Sequence, residues 1–209
     1  KGNTWPPFFS LLASPLALFQ QTISLPWTKQ LWFMLTFFAQ IVVVRKWVSL
    51  QTGITPDFLS QNHEFDFTHP VVFGPLALIL PALSKNLFDL QINTILLLLI
   101  VTAIVQMSND KPHACGFWFG LATAIKVVPA LFLPYLLFKK QYEAAISMIM
   151  WTFALTILPM FFMGPDVYWK AALRWLEISL IEPYVVGDFR FSNQSIYAFW
   201  EYWLVYKLG

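Results

Sequence analysis

Charge is scarce in this chain of 209 residues: only 11% are Asp, Glu, Lys or Arg, against about 25% in an ordinary soluble domain. With 58% of residues apolar and 18% aromatic, a water-soluble globule would lack the charge to cover its surface. The 13 basic and 11 acidic residues leave a net charge of +2, too weak a field to recruit nucleic acid. Cys115 is the only cysteine, which excludes an intrachain disulfide framework and a thiolate zinc cluster. No P-loop, nucleophile elbow or Gly-x-Gly-x-x-Gly is present. What remains is an all-α, polytopic helical membrane protein with short broken or re-entrant helices. The chain opens Lys1-Gly2-Asn3 without a basic-then-apolar signal region, and residues 1–209 are expected to be a single truncated transmembrane domain of a longer protein.

A helix crossing about 30 Å of hydrocarbon needs about 20 residues. The run from Phe8 to Phe19 follows Trp5-Pro6-Pro7 and contains Pro15, so it reads as a re-entrant or surface-lying helix. The run from about Trp27 to Val44 is long enough to cross and ends in Arg45-Lys46, a doublet of the kind enriched on the cytoplasmic side. A polar stretch from Ser49 to Thr68 follows, then apolar runs at about Val71 to Leu83 and Ile92 to Met107, each expected to cross. Asn109-Asp110-Lys111-Pro112 is a turn whose Pro stops the preceding helix.

From His113 to Phe138 the chain carries Lys126 near its middle and Pro129 three residues later. A lysine at bilayer depth is costly and marks a functional position by default. Two topologies are open: one tilted crossing with a buried lysine, or a hairpin of two short helices, Gly116 to Ile125 and Val128 to Phe138, with Lys126 at its tip. The basic markers favour the hairpin, because Lys111 precedes the stretch and Lys139-Lys140 follows it, and only a hairpin puts both on the cytoplasmic side.

Tyr142 to Phe162 is expected to cross outward into an exterior loop at about residues 164–191. In that loop Tyr168-Trp169, Leu173 and Trp175-Leu176 recur at helical spacing with Lys170, Arg174 and Glu177 between them, the pattern of a helix lying in the interface. A last crossing is expected from about Ser195 to Tyr206. This topology sends Gln91 and Asn93, Lys126, and Asn193-Gln194-Ser195 to one exterior face.

The ordered set resembles the family 87 glycosyltransferases. It comprises Trp5-Pro6-Pro7-Phe8, Gln91-Ile92-Asn93 opening an apolar helix, Gly120-Leu121-Ala122-Thr123-Ala124-Ile125-Lys126-Val127-Val128-Pro129, and Asn193-Gln194-Ser195. The resemblance covers essentially the whole chain, with Leu90 where the family commonly has Gly. It implies a GT-C-like fold and a multi-pass enzyme of the bacterial plasma membrane. Such an enzyme takes a hexose, often mannose, from a polyprenyl-phosphate donor and gives it to a lipid or glycan acceptor, with no cofactor. It also implies an essential Asp or Glu in an exterior loop ahead of the aromatic-Pro-Pro motif, before Lys1.

Transfer from a lipid phosphate needs a base for the acceptor hydroxyl and donors that hold the phosphate leaving group. Lys126 is the first candidate for a phosphate contact, the alternative being a snorkelling anchor. Gln91 and Asn93 can donate to sugar or phosphate, or else bond between helices and cap a helix. Asn193 and Gln194 have the same two readings at the next helix start. Arg190 can clamp a phosphate bidentately, as can Arg174, or both meet lipid headgroups. His63, Glu64, Asp66 and His69 lack metal-ligand spacing and read as a solvated loop, so no metal is expected. The expected partners are the polyprenyl-phosphate sugar, its acceptor and membrane lipids, and not nucleic acid. A transporter or flippase also uses broken helices around a mid-membrane cation, but the halves of this chain show no repeat; a non-catalytic membrane subunit is the third reading.

Overall fold

The computed structural model describes residues 6–22, 25–52, 73–74, 77, 80–81, 84–85 and 92–177. Among them every regular element is helical: α1 (Pro7–Thr22), α2 (Leu25–Thr52), α3 (Asn93–Ser108), α4 (Pro112–Ile125), a 3₁₀ turn (Val128–Leu131), α5 (Phe132–Phe138), α6 (Tyr142–Met163) and α7 (Pro165–Leu176). The polar segment with His63 to His69, most of the apolar run 71–83, Gln91, Arg190, Asn193, Gln194 and the expected last crossing lie outside the described residues.

The chain divides into two compact units, Phe8–Leu158 and Lys1–Pro7 with Pro159–Gly209. In the first, α2 is a single helix of 28 residues. It runs past Arg45-Lys46, where the sequence suggests an end, because no Gly or Pro interrupts it before Gly53. Helices α2 and α6 are both long and apolar enough to cross a membrane. Most of their surface is exposed: Leu31, Met34 and Phe38 on α2 and Ile149, Met150 and Phe153 on α6 are open rather than packed in a core. Exposed apolar surface of that extent marks a surface for contact with a membrane or another protein. Helix α3 has 16 residues, about 24 Å at 1.5 Å per residue, a turn or more short of a full crossing.

Three reversals organise this unit. Helix α3 ends in a turn in which Asp110 takes φ 54°, while the Lys111 and Asp110 amides donate to the Gln106 and Met107 carbonyls at 2.9 and 3.2 Å. Helix α5 ends the same way, with Lys140 at φ 59° and the Gln141 and Lys140 amides bonded to Leu136 and Leu137 at 2.9 and 3.0 Å. Both are Schellman closures that satisfy the last carbonyls of the helix. Between them Pro129 ends α4: it has no amide for the Ile125 carbonyl, and its ring crowds that carbonyl. Lys126 is accordingly extended, at φ −151° and ψ 130°.

Pairings across the break give its direction. Phe119 stacks on Phe132 with ring centroids 4.6 Å apart, and Cys115 and Leu136 share one buried cluster. Stepping back four residues in α4 thus steps forward four in α5, so the two limbs are antiparallel and the chain reverses at Lys126. Helix α6 returns parallel to α4. A Cβ on Gly116 would overlap Ser147 and stand 2.5 Å from the Ala144 carbonyl oxygen, and one on Gly120 would lie 2.8 Å from Trp151 Cβ. The Ser147 hydroxyl donates to the His113 carbonyl across this seam at 3.0 Å. Gly116-x-x-x-Gly120 is therefore a small-residue stripe that lets two backbones touch.

In the second unit, α7 begins after Gly164, at φ 79°, with Pro165 in its first turn. Asp166, Lys170 and Arg174 repeat every four residues, so they share a face. Arg174 is bonded to Glu177 at 2.7 Å. Trp169, Leu173 and Leu176 form an exposed apolar stripe beside them, so α7 is amphipathic.

Candidate functional site

Helices α3 and α4 are joined by a three-residue turn, have nearly equal lengths and run antiparallel, so the first residue of α3 must meet the residue following α4. Lys126 Nζ donates to Asn93 Oδ1 at 3.0 Å, across 33 residues of sequence. The lysine is half-buried. Its charge is thus met by an oriented amide oxygen.

The same geometry shows that Asn93 is not the cap of α3. The N-cap position of α3 is Ile92, with no side-chain cap bond, and Asn93 is the first helical residue. Its carbonyl oxygen accepts from Lys126. Thr94, next in the chain, is 1% exposed, and among the described residues its hydroxyl has no hydrogen-bond partner. An ammonium and an amide therefore meet where α3 starts and α4 stops.

The surroundings are apolar. Val127, Val128 and Leu131, at the tip of the hairpin, are 52%, 62% and 75% exposed, so the cation stands beside an open hydrophobic ledge. The opposite end of the bundle is basic. Arg45 and Lys46 share a groove with Asn109, Lys111 follows two residues later, and Asp110 shares a cavity with Lys140. Both ends of the α4–α5 hairpin thus lie together, away from Lys126.

Of the six site residues expected from the sequence, Lys126 and Asn93 are brought into contact; Gln91, Arg190, Asn193 and Gln194 fall outside the described residues. Arg174 is described, and it bonds to Glu177 on α7. No group of three or more His, Cys, Asp or Glu able to hold a metal occurs among the described residues. The pairing of Gly116 with Gly120 as a helix-contact stripe was not among the expectations, although their spacing of four in an apolar helix is itself the signal of a close helix contact.

Among the described residues, two helices long and apolar enough to cross a membrane accompany a broken hairpin whose half-buried Lys126 is bonded to Asn93. Residues 3–201 match the sequence model of glycosyltransferase family 87, and the chain belongs to that family. No curated protein and no solved structure matches the chain. The protein is accordingly a glycosyltransferase, of a membrane-associated family.

Proposed function

We propose that the chain is the multi-pass membrane domain of a hexosyltransferase that takes its sugar, mannose in the first instance, from a polyprenyl-phosphate donor and passes it to a lipid or glycan acceptor on the exterior face. The observation that carries this reading is the Lys126–Asn93 contact at a helix break, 3.0 Å long, on the end of the bundle opposite the basic doublets. In this reading the Lys126 ammonium holds the phosphate as the sugar–phosphate bond breaks, where negative charge develops on the leaving oxygen. Asn93 orients the ammonium and offers its amide N–H to the sugar. The exposed Val127, Val128 and Leu131 receive the first isoprene units of the carrier, so one ledge accommodates both halves of an amphiphilic donor. Gln91, Asn193, Gln194 and Arg190 are proposed as further donors to the sugar and phosphate. Family membership favours this enzyme over a carrier or a non-catalytic subunit.

The donor class is the point to test. Purified full-length protein in bacterial-lipid vesicles is given a polyprenyl-phosphate hexose or the corresponding nucleotide hexose, with a mixed lipid and glycan acceptor fraction. Transfer from the polyprenyl phosphate alone is expected. Transfer from the nucleotide sugar with none from the lipid donor would reject the proposal.

A further inference from the structure

A second polar site lies about 24 Å along α3 from Asn93, 16 residues at about 1.5 Å each. Near their C-terminal ends α2 and α3 enclose a groove of about 580 Å³, within the ~300–1,000 Å³ typical of small-molecule sites. Arg45, Lys46 and Ser49 line it from α2 and Asn109 from the end of α3, while Val42 and Val105 form an apolar wall. Asp110, next to Asn109, lines a different cavity with Lys140 and Glu143.

We propose that this groove binds one anionic phospholipid from the leaflet on the basic side of the bundle. The lining is divided as such a lipid is divided. Two cations with neighbouring hydroxyl and amide groups match a phosphodiester headgroup, and the Val42–Val105 wall matches the upper part of an acyl chain. A soluble anion would use the cations and leave the wall empty; a zwitterionic lipid would use the wall and bring its own ammonium against Arg45 and Lys46. The groove joins α2 to α3, so an occupying lipid bridges the longest helix to the one that carries Asn93. The site is separate from the transfer chemistry and stands or falls independently of the donor class.

Native mass spectrometry of the full chain tests it, with the protein released from vesicles of equal phosphatidylglycerol and phosphatidylcholine. One retained phosphatidylglycerol per chain is expected. The Arg45→Gln/Lys46→Gln variant should retain about thirtyfold less, from about fivefold per juxtamembrane cation. Val105→Trp should block retention by filling the wall while leaving both charges in place. The control is Lys139→Gln/Lys140→Gln, which removes the same charge from the same end outside the groove and should leave retention unchanged. Equal losses in the two double variants would reduce the effect to general surface charge and overturn the proposal. So would undiminished retention in Arg45→Gln/Lys46→Gln, or displacement of the lipid by excess inorganic phosphate alone. Far-UV circular dichroism on each variant separates loss of the site from loss of the fold.

Discussion

Lys126 and Asn93 are 33 residues apart in sequence and 3.0 Å apart in space, and the contact follows from helix lengths. Helices α3 and α4 have 16 and 14 residues on either side of one tight turn, so the start of one and the end of the other close into a pair. A hydrogen bond to a charged group contributes about 1.5–3 kcal/mol. Asn93→Ala is therefore expected to lower stability by about that amount and to lower transfer, whereas Asn93→Asp should hold stability and still lower transfer, because a carboxylate competes with the donor phosphate for Lys126. Chemical denaturation and an initial-rate assay on the two variants check this; equal activity in wild type and Asn93→Asp would remove Asn93 and its partner from the phosphate site.

The glycine stripe gives a second expectation. A Cβ at Gly116 meets Ser147 and the Ala144 backbone, and one at Gly120 meets Trp151 Cβ and the Met148 carbonyl at 2.8 and 3.0 Å. Neither neighbour is the free end of a flexible chain. Gly116→Val and Gly120→Val should each destabilise by about 1–3 kcal/mol or more through overpacking, read as a lower thermal midpoint in detergent. An unchanged midpoint for both would show that α4 and α6 do not touch along this seam.

Lys140 sits at φ 59°, a conformation that costs an L-residue about 1–2 kcal/mol and costs glycine little. Lys140→Gly is expected to raise stability by up to about 1 kcal/mol despite the added freedom of the unfolded chain. The denaturation midpoint measures it, and a fall in midpoint would show that the left-handed turn is not formed.

The hairpin itself can be read by labelling. Cys115 is fully buried and should stay unreactive toward a maleimide until the protein unfolds. Single cysteines introduced at Lys111 and Lys139 should then be labelled from the same side of sealed vesicles by an impermeant reagent. Labelling from opposite sides would mean one tilted crossing instead of a reversal at Lys126.

Much of this architecture was legible because the charges are few. Lys111 and Lys139-Lys140 bracket an apolar segment, and with Pro129 they favour a reversal at Lys126 over a single tilted crossing. The amphipathic α7 was equally plain, since Asp166, Lys170 and Arg174 keep helical spacing. Other features were hidden for identifiable reasons. Arg45-Lys46 looked like a helix end, but charge alone does not stop a helix, and α2 continues to Thr52. Asn93 was open between a substrate donor and a helix cap; its partner Lys126 comes from the α3–α4 register, which a local reading does not contain. The Gly116–Gly120 stripe was visible in the letters, yet it gains meaning only from its contacts on α6, 28 or more residues further on.

The central claim is that Lys126 holds the phosphate of a polyprenyl-phosphate donor, and initial rates of the full-length Lys126→Ala enzyme against its wild type test it most directly. Loss of one preorganised charged contact to the leaving group is expected to lower turnover by about 100-fold or more, with Lys126→Arg restoring part of it and circular dichroism unchanged in both. Wild-type turnover in Lys126→Ala would contradict the claim and leave the lysine as an anchor for the hairpin.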